Sequence, residues 1–175
     1  SSTLILATSL GLIKKGPTKI VDSKEWTSMR TSSSLDSISK KFNKRCNDVA
    51  YDKNNQVLYV SSLGSLNKVD SKGQSSELKF KDSSIFVNDI LLHGELVICG
   101  TQNRGLLFFR QNQFTEQINT KNGLGSDYVN KLEIIGNNLF IAHSRGFQIY
   151  NIQTKNWFTI GTAEGIENGS VKDFS

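Results

Sequence analysis

Cysteine, histidine and methionine are nearly missing from this chain: two, two and one in 175 residues. Two cysteines, Cys46 and Cys99, are too few for a disulfide framework or a zinc site. A single bridge between them stays open, and with it the redox compartment. No apolar run approaches the ~18 residues of a membrane-spanning helix, so no membrane insertion is expected. The opening Ser1-Ser2-Thr3-Leu4 has no basic segment, apolar stretch or small-residue cleavage site, so no signal peptide is expected within it. No window sustains an apolar stripe at i, i+3 and i+4, which argues against helices. Catalytic signatures are missing too. There is no Gly-x-Ser-x-Gly elbow, no His-Glu-x-x-His and no Gly-rich phosphate loop. His93 and His143 have no partners at metal-ligand spacing. No catalytic residue, metal or cofactor is expected.

What the chain does have is a modest positive charge, +5, and 37% hydrophobic residues. The basic residues are scattered. The densest group, Lys40, Lys41, Lys44 and Arg45, falls in a Ser/Lys-rich stretch that reads as a solvated loop. A nucleic-acid footprint needs a clustered basic stripe with stacking aromatics beside it, so nucleic acid is not an expected partner.

A repeat organises everything else. Asn47-Asp48-Val49, Asn88-Asp89-Ile90, Asn130-Lys131-Leu132 and Lys172-Asp173-Phe174 start four segments, spaced 41, 42 and 42 residues apart. Val87, Val129 and Val171 precede three of these starts, and Cys46 precedes the other. Cys46 therefore reads as a core position, as does Cys99 at the end of an apolar run. A second landmark keeps the same register. The runs Leu4–Ala7, Val57–Val60, Leu96–Cys99 and Leu139–Ala142 each lead through a short stretch to Gly11, Gly64, Gly105 or Gly146.

Each full unit reads as four short strands. In the third unit these are residues 89–92, 96–99, 106–109 and 114–118, separated by turn-forming residues such as Gly94-Glu95 and Gln111-Asn112-Gln113. The second strand is apolar on consecutive residues, as suits a strand covered on both faces. Four strands at a period of ~40–45 residues is the pattern of a β-propeller blade. The expected fold is therefore all-β: a β-propeller of four-stranded antiparallel blades, about four in this chain, as a fragment of a larger propeller. The units are 1–46 (with a loop insertion at 32–44), 47–87, 88–129, 130–171, and 172–175 as the first strand of a further or shared blade.

The stretch Gly123-Leu124 through Val129-Asn130-Lys131-Leu132, then Asn138-Leu139-Phe140-Ile141-Ala142-His143-Ser144-Arg145-Gly146-Phe147 and Ile149-Tyr150, resembles the two-component regulator propeller repeat. Leu96-Val97-Ile98-Cys99-Gly100-Thr101 through Gly105-Leu106 matches the same pattern, with its Gly-Thr pair intact. The resemblance is strongest in the second half. The family's tryptophan is replaced by Ile5, Leu58, Val97 and Phe140. The resemblance implies the extracytoplasmic, periplasmic or extracellular sensor region of a bacterial hybrid two-component kinase. It also implies an oligosaccharide or other small ligand, and further blades and signalling domains in the parent protein as partners. A homodimer is a further partner reading.

In a propeller the turns after second strands and the loops between blades emerge on one face. Gln102, Asn103 and Arg104 from one turn and His143, Ser144 and Arg145 from the next would gather there. Asn122, Asp127 and Asn168 would join them from the long loops. Arg and Asn forks suit sugar hydroxyls, carboxylates and sulfates. His143-Ser144-Arg145-Gly146 is read as the counterpart of Gln102-Asn103-Arg104-Gly105. Trp26 and Trp157 fall near fourth strands, where packing or rim positions are expected. The leading functional expectation is a ligand-binding sensor segment. A scaffold for another protein is the alternative, and a propeller lyase or hydrolase follows it.

Overall fold

The computed structural model describes residues 4–9, 11–15, 27–28, 42, 44–165 and 169–174. The chain forms two compact units, Ser1–Ile85 and Phe86–Ser175.

In the first unit, β1 (Leu4–Thr8), β2 (Gly11–Lys15) and β3 (Thr27–Ser28) form a three-stranded antiparallel sheet. β4 (Cys46–Asp52), β5 (Val57–Ser62), β6 (Ser65–Val69) and β7 (Ser75–Leu78) form a four-stranded meander. The second unit holds two more meanders. One runs through β8 (Val87–His93), β9 (Leu96–Thr101), β10 (Leu106–Arg110) and β11 (Gln113–Ile118). The other runs through β12 (Val129–Ile135), β13 (Asn138–His143), β14 (Gly146–Asn151) and β15 (Trp157–Ile160). Among the described residues the only helical pieces are single 3-10 turns at Thr120–Asn122 and Thr162–Glu164, and no helix is long and apolar enough to cross a membrane.

Burial follows strand order within each sheet. All six residues of β5 are buried, and so are the last five of β9. The fourth strands β11 and β15 are half-buried or exposed at every residue except Ile118. Consecutive apolar residues on these second strands are therefore buried on both faces of the sheet. In the second unit a shared core joins both sheets: Ile98, Leu106 and Phe108 from one, Val129, Leu132, Leu139 and Ile141 from the other. Burying such side chains, at roughly 25 cal/mol per Å² of apolar area, is what holds the two sheets face to face.

The hairpins use the turn chemistry that their strands require. Gln111 and Asn112 both have positive φ (50° and 65°) between β10 and β11, as a two-residue turn of primed type needs. Asn151 Oδ1 accepts from the backbone N–H of Gln153 and Thr154 (3.1 and 2.9 Å), closing the turn into β15.

The repeated asparagine has a specific structural cause. Each first strand carries a β-bulge at the same point, between Cys46 and Asp48, Val87 and Asp89, and Val129 and Lys131. The extra residue is Asn47, Asn88 or Asn130. A bulge re-aims a side chain out of the ladder. Asn88 Nδ2 accordingly donates to the Val129 carbonyl of the next sheet at 2.8 Å, and Asn130 Nδ2 donates to the Val171 carbonyl at 2.6 Å. Val129 and Val171, each directly before a repeat start, supply the acceptors. In the second unit Asn and Val thus form a clip that recurs at the repeat spacing.

The cysteines are core residues, as their repeat positions imply. Cys46, Val87 and Val129 are all buried, and the two cysteines form no disulfide. Burial pushes the Cys46 thiol up to about 11, so it stays protonated and unreactive near neutrality.

Candidate functional site

In each unit the second-strand turns and the segments before first strands are joined by the same backbone bond. The residue after each second strand donates its N–H to the carbonyl of the residue before the first strand. The pairs are Leu63 to Arg45 (3.3 Å), Gln102 to Phe86 (3.0 Å) and Ser144 to Tyr128 (3.0 Å). Gly105 N–H adds a bond to the Asp127 carbonyl at 2.9 Å, and the Ser126 and Ser144 hydroxyls lie 2.6 Å apart. In the second unit the loop 119–128 is therefore fastened to the second-strand turn of both flanking sheets.

These bonds correct one register assumption. Gln102 is the counterpart of Ser144, and Thr101 is the counterpart of His143, because the 102–105 turn is one residue longer. Thr101 and His143 pair opposite Val87 and Val129. Both end their strands buried, and both close the turn that follows. Thr101 Oγ1 accepts from Arg104 N–H (2.9 Å) and donates to the Gly105 carbonyl (2.8 Å). His143 Nδ1 accepts from Arg145 N–H (3.1 Å).

His143 is thus a buried strand-end residue and does not line the face. Its Nδ1 is an acceptor, so Nε2 carries the proton toward Gln148 Oε1, 3.2 Å away. Burial, with the Arg145 charge adding to it, holds its pKa below the ordinary histidine value, against the opposing bond to Gln148. Gln148, which gave no signal in the sequence beyond being a polar residue inside a strand, is the hub of this corner. It accepts from Gly125 N–H (2.6 Å) and donates to the Gly123 carbonyl and Thr159 Oγ1 (both 3.2 Å).

The remaining expected site residues divide in two groups. Asn122 and Asp127 shape their own loop: Asn122 Oδ1 accepts from Asn119 N–H (2.6 Å), and Asp127 Oδ1 accepts from Thr120 N–H (2.8 Å). Gln102 Nε2 donates to Asn88 Oδ1 (3.0 Å), tying the turn to the clip below it. Asn103, Ser144 and Arg145 are exposed, and Arg104 is half-buried with its carbonyl accepting from Gln117 Nε2 (2.9 Å). Asn168 lies outside the described residues, as does Trp26. Trp157 is a packing residue, its ring centroid 4.6 Å from that of Tyr150.

Two aromatic residues on this face had no place in the sequence reading. Phe86 and Tyr128 are 47% and 42% exposed. The available signal was their shared position, directly before the repeat valines Val87 and Val129.

The opposite face of the second unit has a cleft of about 410 Å³, lined by Phe108, Thr115, Asn137 and Gln153 among others. Of its charged residues, Glu116 and Lys155 pair with each other at 3.2 Å and Arg110 pairs with Glu95 at 3.3 Å. Among the described residues no three His, Cys, Asp or Glu side chains converge as metal ligands would.

No protein-family model and no curated protein matches the chain. Solved structures do. The extracellular domain of the hybrid two component system BT4673 from B. thetaiotaomicron is similar at TM-score 0.65 and 18% identity, over 93% of this chain and 24% of that one. The WD40 beta propeller domain of Doa1 is similar at TM-score 0.65 and 13% identity, over 98% of this chain and 54% of that one. The chain has the β-propeller fold. The extracellular domain of the hybrid two component system BT3049 from B. thetaiotaomicron is similar at TM-score 0.61 and 19% identity, over 90% of this chain and 23% of that one. Two of these three come from the kind of protein whose repeat the sequence resembles. The chain spans about a quarter of the length of those two extracellular domains.

Proposed function

We propose that this propeller segment belongs to the extracellular or periplasmic sensor region of a two-component signalling protein, and that it binds an oligosaccharide on the face of its second-strand turns. Further blades and the signalling output lie elsewhere in the parent protein. The segment binds and does not catalyse.

The observation that carries the reading is the construction of that face. Buried side chains (Thr101, His143 and Gln148) and the loop residues Asn122 and Asp127 spend their hydrogen bonds fixing the loops. The exposed turn residues Asn103 and Arg145 are left at fixed positions above them, beside Ser144, whose hydroxyl pairs with Ser126. Polar groups held on a rigid frame suit a hydroxyl-rich ligand, because little conformational freedom is lost on binding. The structural likeness to two-component ectodomains supports the sensor assignment.

A glycan array screened with the intact parent protein, followed by titration calorimetry on each hit, tests the proposal. The expected result is saturable binding of a defined oligosaccharide that weakens at least tenfold in an Asn103→Ala, Arg145→Ala double variant. A protein that binds no glycan, and is instead recovered with a stoichiometric protein partner, would make the segment a scaffold.

A further inference from the structure

We infer that Phe86 and Tyr128 are two steps of a stacking platform at the inner rim of this face, and that with the arginines beside them they select an acidic oligosaccharide. The inference rests on the oligosaccharide-binding reading above.

The two aromatics occupy one repeat position, 42 residues apart in sequence. Each directly precedes a first strand, β8 or β12. The starts of those strands lie side by side, because Asn88 Nδ2 reaches the Val129 carbonyl at 2.8 Å. Chain geometry then places the Phe86 and Tyr128 Cα atoms no more than about 20 Å apart, a span that a short oligosaccharide bridges. Single exposed apolar residues are ordinary on any surface. Two large aromatics at the same repeat position, on the same face, form a pattern.

Their backbones are held rigid. The Phe86 carbonyl accepts from Gln102 N–H and the Tyr128 carbonyl from Ser144 N–H. Tyr128 N–H donates to Ser126 Oγ at 3.1 Å. An aromatic ring presents a negative face, to which the C–H face of a pyranose is complementary. Rigid rings with two side-chain torsions each lose little entropy on contact.

Charge decides which sugars fit. The turns donating to these carbonyls carry Arg104 and Arg145 in the same repeat register, and Arg145 is exposed. Asp127, the nearest acid in the loop, is occupied by Thr120 through both its N–H and its hydroxyl (2.8 and 3.4 Å). A guanidinium matches a carboxylate or sulfate through paired N–H groups. Uronate or sulfate substituents standing off a stacked ring meet that requirement.

The test titrates the intact parent protein with an oligogalacturonate and a neutral galacto-oligosaccharide of equal length. The acidic ligand is expected to bind at least tenfold tighter. Phe86→Ala and Tyr128→Ala should each weaken it tenfold or more, with Phe86→Tyr and Tyr128→Phe close to wild type and the thermal midpoint unchanged in all four. Arg145→Ala should erase the preference for the acidic ligand. Undiminished binding in both alanine variants, or a preference for the neutral ligand, would overturn the inference while leaving oligosaccharide binding intact. If neither ligand binds and no glycan binds on the array, the inference and the reading beneath it fall together.

Discussion

Asp89 Oδ1 lies 3.1 Å from Lys131 Nζ, and the two residues hold the same place in successive repeats. Asp89 Oδ2 accepts from the Leu132 N–H at 2.9 Å, so one nearly buried carboxylate satisfies two groups of the neighbouring sheet. The lysine that breaks the Asn-Asp pattern in the fourth unit therefore has a purpose: it neutralises the aspartate of the third. Asp89→Ala should lower unfolding free energy by about 2 kcal/mol, since a charged hydrogen bond is lost while the half-exposed Lys131 recovers solvent. Chemical denaturation of wild type and variant measures it.

Burial raises the Asp89 pKa despite Lys131 and the Leu132 N–H. A carboxyl whose folded pKa lies above its unfolded value adds stability that is complete below about pH 3.8 and is lost as pH rises through the raised value. The stability advantage of wild type over Asp89→Asn should therefore shrink from pH 4 to pH 7. Denaturation at several pH values reads this directly, and a growing advantage would contradict it.

The sign is opposite for His143. Its pKa is lowered by burial, and Nδ1 must stay unprotonated to accept from Arg145 N–H. Its contribution is present above the ordinary histidine value and is lost as pH falls below about 6.5 through the lowered one. A thermal midpoint that drops between pH 7 and pH 5 in wild type, and drops less in His143→Gln, is expected.

The clip asparagines should differ in weight. Asn88 donates to Val129 and accepts from Gln102, whereas Asn130 donates to Val171 and, more weakly, to Ser170 Oγ at 3.3 Å. At about 1 kcal/mol per bond, Asn88→Ala should cost about 2 kcal/mol and Asn130→Ala about 1 kcal/mol. Urea midpoints at constant m-value check the order.

Gly105 has no room for a side chain. Its φ is +69°, and a Cβ there would overlap the Ile118 carbonyl oxygen and approach Leu124 Cδ2 to 2.9 Å. Gly105→Ala should cost about 1–3 kcal/mol from overpacking, with a further cost for the left-handed backbone. A near-neutral thermal midpoint would show that the 102–105 turn does not press against the loop at Asn119.

The fold was legible because its most regular contact is written in the most regular letters. Val followed by Asn marks the bulge, its donor and the next sheet's acceptor, so the repeat start and the clip are one feature. The apolar second strands were legible because consecutive residues of β5 and β9 are buried. The face was less legible. His143 looked like a turn residue because a three-residue turn was aligned with a four-residue one, and burial at a strand end leaves no mark in sequence. Asn122 and Asp127 are typical turn residues, whose short polar side chains satisfy nearby backbone N–H groups, and that local use looks the same in sequence as availability to a ligand. Phe86 and Tyr128 were hidden by position alone, one residue outside the apolar pattern that defines the strands.

Amide hydrogen exchange with and without the oligogalacturonate tests the central claim, that ligand sits on the face of the second-strand turns. Protection should rise at residues 102–105 and 144–146 and around Phe86 and Tyr128, with no change at the opposite-face turns Gly94-Glu95, Gln111-Asn112 and Gly136-Asn137. Protection confined to those opposite turns would contradict the account.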